Sequence, residues 1–184
     1  MSTAIVTPVF RASYPSVLKP TFNNLSKKNE FSVEAIFPPG EKLEAMKKAA
    51  EAACILKFGE DKSKWPKNLR SPFRDQNEKM KDGKLPDGMT AGAVFMRFKS
   101  EKRPGVVDQN KQEILEDSKF YAGCYARAHV NAFAYNNAGN AGVSFGLNHV
   151  QFVKDGDAFS GRPNVESAFT AIEGSTSGDA SSLF

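Results

Sequence analysis

Small apolar residues alternate with larger polar or aromatic residues throughout residues 120–135, FYAGCYARAHVNAFAY. Because successive side chains of a strand point to opposite faces, this pattern predicts one long strand with an apolar core face. The opposite face then carries rings, basic groups and an amide. Residues 143–153 alternate in the same way, and one of their faces holds Val143, Phe145, Leu147 and His149. A glycine- and asparagine-rich link joins the two segments, which are therefore predicted to form a hairpin.

Further strands show the same period of two. Residues 31–37 alternate with an apolar face, and residues 91–100 set Val, Met and Phe against Phe95, Arg97 and Lys99. Residues 5–22 combine β-forming residues with three prolines. Since proline cannot donate to a central ladder, a strand at the edge or the beginning of the sheet is expected there.

One helix is predicted over residues 40–58. Ala, Glu, Lys and Leu dominate this segment, and Leu43, Met46 and Ala50 begin an apolar stripe at helical spacing. Two prolines precede it and Gly59 follows it, as expected at the two ends of a helix. Five or six strands with one helix suit a mostly β fold, a small barrel capped by the helix.

Two segments lack periodicity. Residues 60–92 are rich in Lys, Pro, Asp and Gly, and a loop of this length inside a compact domain is functional or disordered. The last residues are small and polar but end in Leu183 and Phe184. We therefore expect one domain over residues 1–162 and a flexible C-terminal tail over residues 163–184.

Charge separates the body of the chain from its end. Residues 1–153 contain 23 Lys and Arg against 16 Asp and Glu, whereas residues 154–184 contain 2 against 5. A basic body favours a polyanionic partner. No apolar run reaches the roughly 20 residues of a membrane span, and no signal peptide is recognisable, so a cytoplasmic protein without membrane contact is expected. Cys54 and Cys124 lie among alanines and are expected to be buried, reduced thiols.

Rings and cations on one face are what single-stranded DNA requires. A base stacked on an aromatic side chain contributes roughly 1–3 kcal/mol whatever its identity, and Lys or Arg neutralises the phosphates. The stacking candidates on the long strand are Tyr121, Tyr125, Phe133 and Tyr135, and secondary ones elsewhere are Phe10, Tyr14 and Phe73. The phosphate candidates are Arg11, Arg74, Arg97, Lys99, Lys102, Arg103 and Arg127. Each ring could equally pack inside the fold, and each cation could form a surface ion pair.

Catalytic motifs are missing from the sequence. The acidic residues between Asp108 and Asp117 look like a solvated charge run, and no nucleotide-binding loop or nucleophile motif occurs. His129 and His149 are the only histidines and lack an obvious third ligand for zinc. We expect no catalysis, no cofactor and no metal.

The chain resembles the phage OB-fold single-stranded DNA-binding proteins, a group that includes distant relatives of the T7-type replication protein. The resemblance rests on RPGVVD (103–108), on residues 120–135, on GVSFGLNHVQFVKDGDAFSG (142–161) and on the terminal Phe184. It implies an OB-fold barrel, sequence-independent DNA binding in phage replication and recombination, and no catalysis. It supplies no individual DNA contacts.

The resemblance also implies a C-terminal tail that contacts replication or recombination proteins, here through Asp179, Leu183 and Phe184. Such tails are usually densely acidic, whereas the last twelve residues offer only Glu173, Asp179 and the terminal carboxylate. Two other functions stay open, a protein-binding adaptor barrel and a strand-annealing protein. A homodimer is also open.

Overall fold

The computed structural model describes residues 2–159. The tail residues Asp179, Leu183 and Phe184 lie outside the described residues, as does the whole of the expected tail. The helix α1 spans Glu44–Phe58. The strands are β1 (Ala4–Val6), β2 (Phe10–Asn23), β3 (Lys28–Phe37), β4 (Arg74–Asp75), β5 (Val94–Ser100), β6 (Gly105–Val107), β7 (Tyr125–Asn137) and β8 (Asn140–Lys154).

Five strands close into a ring in the order β2-β3-β5-β8-β7, and β7 returns to β2. All neighbours in this ring are antiparallel except β5 and β8, which pair in parallel through Phe98–Phe145 and Lys99–Gly146. The prediction of an OB-fold barrel with one helix is confirmed. The strands number eight among the described residues rather than five or six. The additional strands β1, β4 and β6 have only two or three residues each, too few for a periodic pattern.

The barrel interior is built from the even positions of β7 and from phenylalanines. Ala126, Ala128 and Val130 are buried as the alternation predicts. The ring of Phe10 packs edge-on against Phe37 at 5.7 Å and against Phe98 at 5.8 Å. The small side chains on β7 allow α1 to approach closely with its own buried face of Met and Ala. This face caps the barrel.

The long strand begins later than predicted. Residues 117–119 form a short 3-10 helix, and β7 starts only at Tyr125. Gly123 has φ +110°, and a side chain there would lie 2.1 Å from the backbone oxygen of Asp157. A close approach of this kind accepts only glycine, and the backbone turns at this point instead of continuing as a strand.

The proline-rich segment near the N-terminus is two strands, divided around Pro8. β1 is an edge strand, as predicted, but β2 lies between β3 and β7 inside the ring. Its Pro15 and Pro20 fall in the two register shifts of the β2–β3 pair. A bulge leaves a backbone position unpaired, so proline costs no ladder hydrogen bond there.

The inward position predicted for His149 is wrong. The β7–β8 register passes from Val130–Leu147 to His129–His149, so Asn148 is an extra residue in β8. Alternation changes phase at such a bulge. Val150 takes the buried place, and His149 is exposed on the outer face.

Residues 60–92 pack against the barrel along two of its edges. β4 pairs with β5, and the backbone of Arg70 bonds to β8, donating to Ala141 at 2.9 Å and accepting from Val143 at 3.0 Å. The side chain of Asn68 donates to the carbonyl of Gly139 in the β7–β8 turn at 3.1 Å. The loop therefore forms a wall beside the hairpin.

Two smaller predictions concern the thiols and the membrane. Cys54 and Cys124 are both buried and unpaired, as predicted, and burial raises the pKa of Cys124 to about 11. Among residues 2–159, no helix has the length and apolar character needed to cross a bilayer.

Candidate nucleic-acid interface

A cleft of about 660 Å³ lies on the outer face of the barrel between the 70–78 loop and the β7–β8 hairpin. It brings together five of the candidates from the sequence: Phe73, Arg74, Arg97, Lys99 and Tyr135. Its other lining residues are Arg70, Ser71, Pro72, Glu78, Val143 and Ser144. We call this site the cleft.

Four cations and one carboxylate line the cleft. Arg74 forms an ion pair with Glu78 at 2.8 Å, and Lys99 lies 3.4 Å from a carboxylate oxygen of Glu30. Within residues 2–159, Arg70 and Arg97 form no ion pair. Both side chains are at least partly exposed, so their guanidinium groups are available to an anion.

Three rings border these cations. Phe73 is half-buried and packs edge-on against Phe145 with ring centroids 6.1 Å apart, which fixes its orientation. Tyr135 lies over Gly142, where an added Cβ would be 2.5 Å from its hydroxyl. Phe133 is two residues from Tyr135 on the same face of β7 and is 48 % exposed. The rings thus offer apolar surface beside the cationic groups.

A buried ion pair holds the far end of the loop. Glu34 points outward from β3, yet its side chain is only 4 % exposed because the loop covers it. Lys79 Nζ lies 2.5 Å from both carboxylate oxygens and 4.6 Å from the Phe95 ring centroid. Arg74 covers the same ring at 4.8 Å. These contacts position the loop segment that carries Phe73 and Arg74.

Sequence reasoning missed Arg70, Glu34 and Lys79. A glutamate at an outward strand position is typical of a solvated face, and its burial depends on a loop more than forty residues away. The length of the aperiodic loop was the one usable signal, because such loops often carry function.

Phe10 is a core residue, and its assignment as a stacking candidate is corrected. It is 1 % exposed and contacts Phe37 and Phe98 inside the barrel. Its ring presents no face to a ligand. The sequence placed it in a strand without showing which face was buried, because the prolines and bulges of β2 obscure the alternation.

Arg11 and Tyr125 lie away from the cleft. The Arg11 guanidinium is 4.8 Å from both the Tyr125 and Phe159 ring centroids, and it donates to the carbonyls of Gly123 and Asp157, each at 2.8 Å. Lys154 contacts the Tyr125 ring at 4.7 Å. These contacts join the start of β7 to the segment that follows β8.

Tyr121 is also held by internal contacts. Its hydroxyl donates to Asp155 Oδ1 at 2.6 Å. Burial, followed by this hydrogen bond, raises the pKa of Tyr121 to about 12. The ring is half-buried and does not line the cleft.

The remaining candidates are scattered over the surface. Tyr14 is 66 % exposed at φ +43°, with its ring 5.5 Å from Lys79, and lines a pocket separate from the cleft. Lys102 and Arg103 are exposed in the β5–β6 turn. Arg127 is exposed on β7 and donates to Gln151 Oε1 at 2.8 Å.

The two histidines are neighbours across the hairpin. Their rings stack with centroids 6.2 Å apart and an angle of 26°. Over residues 2–159, no three His, Cys, Asp or Glu side chains are grouped so that they could hold a metal ion.

Comparison with known proteins identifies the family. The family model described as the ssDNA-binding protein of Enterobacter phage Enc34 matches residues 3–181. The chain belongs to this family. In this Enc34 family member, the cleft lies on the outer face of the barrel. The description of the family is that of a single-stranded DNA-binding protein.

Solved structures share the fold at low identity. The Enc34 single-stranded DNA-binding protein in complex with ssDNA superposes with a TM-score of 0.65 at 18 % identity, covering 86 % of this chain and 90 % of that chain. The single-stranded DNA-binding protein of bacteriophage T7 gives a TM-score of 0.58 at 16 % identity, with 88 % and 97 % covered.

Among curated proteins, the chain is similar in sequence to putative protein p50 of Acyrthosiphon pisum secondary endosymbiont phage 1. It is 42 % identical over 81 residues. The match spans 44 % of this chain and 43 % of that protein, less than half of either.

Proposed function

We propose that this Enc34 family member coats single-stranded DNA, with little sequence preference, during phage DNA replication and recombination. The observation that carries the proposal is the cleft, where the guanidinium groups of Arg70 and Arg97, which form no ion pair within residues 2–159, lie beside half-exposed rings. The family description and the fold shared with two phage ssDNA-binding proteins support it.

The chemistry of the cleft assigns a role to each group. Arg70, Arg97 and Lys99 contact phosphates, and their contribution weakens as salt rises. Phe73 and Tyr135 stack on bases, with Phe133 at the exit of the cleft. Stacking accepts every base, which accounts for the lack of sequence preference.

The proposed activity is binding without catalysis. Among the described residues that line the cleft, the single carboxylate is Glu78, and Arg74 neutralises it. A carboxylate engaged in this way is poorly suited to hold a metal. The protein then works on replicating DNA in the cytoplasm of the infected bacterium.

The tail and the oligomeric state belong to the same proposal. Residues 1–162 form the DNA-binding domain, and residues 163–184 contact replication or recombination proteins through Asp179, Leu183 and Phe184. Support for this comes from the change in charge and composition at the end of the sequence. A homodimer would place two clefts on one strand.

Fluorescence anisotropy of labelled oligothymidylate, titrated with the full chain at two salt concentrations, tests the proposal. A duplex of equal length serves as competitor, Arg97→Ala is the cleft variant, and Lys48→Ala is a control that removes an exposed charge from α1. We expect tight binding that weakens as salt rises and that the duplex does not displace. Arg97→Ala should weaken this binding, whereas Lys48→Ala should leave it unchanged. Absence of binding at both salt concentrations would overturn the proposal and favour an adaptor barrel.

A further inference from the structure

The outer face of β7 continues beyond the cleft. Odd-numbered side chains from Phe133 back to Arg127 are exposed or half-buried and alternate with more deeply buried ones, and Tyr135 continues this face into the cleft. The eight steps along the strand from Tyr135 to Arg127 span roughly 27 Å. The outward series therefore extends from the cleft, past Phe133 and Asn131, to a second group of polar side chains around His129.

The bulge in β8 creates this second group. Asn148 is the extra residue, and it turns His149 outward to lie opposite His129. The Asn148 amide contacts Nδ1 of His129 at 3.0 Å and Oδ1 of Asn131 at 3.3 Å. A bulge that redirects a side chain is a common feature beside binding sites.

Hydrogen bonds determine which nitrogens of the two rings remain available. The backbone N–H of Gly105 donates to Nδ1 of His149 at 3.2 Å. Since a backbone amide can only donate, neutral His149 carries its proton on Nε2. The side-chain NH2 of Asn148 likewise donates to Nδ1 of His129. Within residues 2–159, no hydrogen bond engages Nε2 of either ring, so each neutral ring offers one N–H donor to an acceptor outside the protein.

Two cations border the histidines. Arg127 and Lys111 are exposed, and together with both rings, Val6 and Gln151 they line a depression of about 360 Å³. The nearby Asp108 carboxylate accepts from the backbone N–H groups of Asn110 and Gln112 in its own turn. Donors and positive charge thus prevail among the polar groups of the depression, which lie beside the apolar side chains of Val6 and Val107.

We propose that this group, defined as Lys111, Arg127, His129 and His149 and called the histidine patch, binds phosphates of the single strand after it leaves the cleft. The inference rests on the proposed function, and it extends the DNA track along β7 and β8. Its ligand is the phosphodiester backbone, since the patch offers charge and N–H donors rather than large exposed rings.

Two oligothymidylates distinguish DNA binding at the cleft from DNA binding at the patch. One has about 5 and the other about 16 nucleotides, which is the range of site sizes found for OB folds. The variant is Lys111→Ala/Arg127→Ala, and the matched control Lys47→Ala/Lys48→Ala removes two exposed charges from α1. We expect unchanged binding of the short strand and about tenfold weaker binding of the long one. For the long strand, the slope of log K against log salt should flatten by about 1.4, or about 0.7 for each phosphate that the variant leaves without a cation.

A second variant, His129→Phe, keeps a ring but removes its donor. It should also weaken the long strand selectively, while circular dichroism shows an intact barrel. Unchanged long-strand binding in both variants, or equal weakening of both strands, would overturn the patch as a separate contact. If the wild-type chain binds neither oligonucleotide, the proposed function itself fails.

Discussion

Replacing Lys79 by Ala isolates the contribution of the buried ion pair that holds the loop. The change leaves the Glu34 carboxylate on β3 without its partner, and its side chain is only 4 % exposed. Removing one partner of a buried pair typically costs about 3–5 kcal/mol, because the remaining charge stays desolvated. The Lys79 side chain is 25 % exposed, so some water already reaches the pair. We therefore expect a loss at the lower end, about 3 kcal/mol.

This loss has two readouts. For a domain of this size, about 3 kcal/mol corresponds to a fall in Tm of roughly 6–12 °C. The loop segment 74–79 is expected to detach first, since the pair fixes it on Phe95. Oligothymidylate affinity should then fall as well, because Phe73 and Arg74 lose their positions in the cleft.

Urea unfolding followed by Trp65 fluorescence and by circular dichroism measures both effects. Trp65 lies in the loop, and its indole N–H donates to the carbonyl of Gly59 at 2.8 Å, so it reports on the loop while circular dichroism reports on the barrel. The double variant Glu34→Met/Lys79→Met is the control, and it should recover most of the stability because apolar groups replace both charges. A single-variant loss below about 1 kcal/mol, the usual value of an exposed pair, would refute the reasoning.

Three further outcomes are expected. Phe73→Ala and Tyr135→Ala should each reduce oligothymidylate binding by roughly 1–3 kcal/mol, whereas Tyr125→Ala, outside the cleft, should change the anisotropy titration little. Gly142→Ala should weaken binding without unfolding the barrel, because its Cβ would lie 2.5 Å from the Tyr135 hydroxyl and displace that ring. The raised pKa of Tyr121, about 12 against an ordinary 10, means that its contribution to stability is complete below pH 10 and is lost as pH rises through 12. Urea unfolding between about pH 9 and about pH 12 should show this decline, and Tyr121→Phe should flatten it.

The alternating pattern of residues 120–135 predicted the buried face of β7 correctly. Ala126, Ala128 and Val130 needed no tertiary information, since a half-buried strand shows its two faces directly in its sequence. His149 could not be placed in this way. The bulge at Asn148 depends on which residues of β7 lie opposite, and that register is set between strands rather than within one.

The cleft was predictable in part. Arg97, Lys99 and Tyr135 stood out because they share outward strand positions with rings or cations, and the structure brings them together. Arg70 and the Glu34–Lys79 pair were not predictable, because the loop that supplies Arg70 and Lys79 has no period. Phe10 was misassigned for a related reason, since bulges interrupt the alternation of β2.

The parallel pairing of β5 with β8 is short, with two residue pairs only. Beyond it, β8 bonds instead to the backbone of Arg70, so the 60–92 loop completes the barrel wall where the strands separate. Both connections join segments distant in sequence, and contacts of this kind form late in folding because the loop entropy must be overcome first. Closing the barrel and assembling the cleft therefore depend on the same long-range contacts. Under the proposed function, a nascent or partly unfolded chain lacks the cleft, and DNA bound in the finished cleft stabilises the last contacts to form.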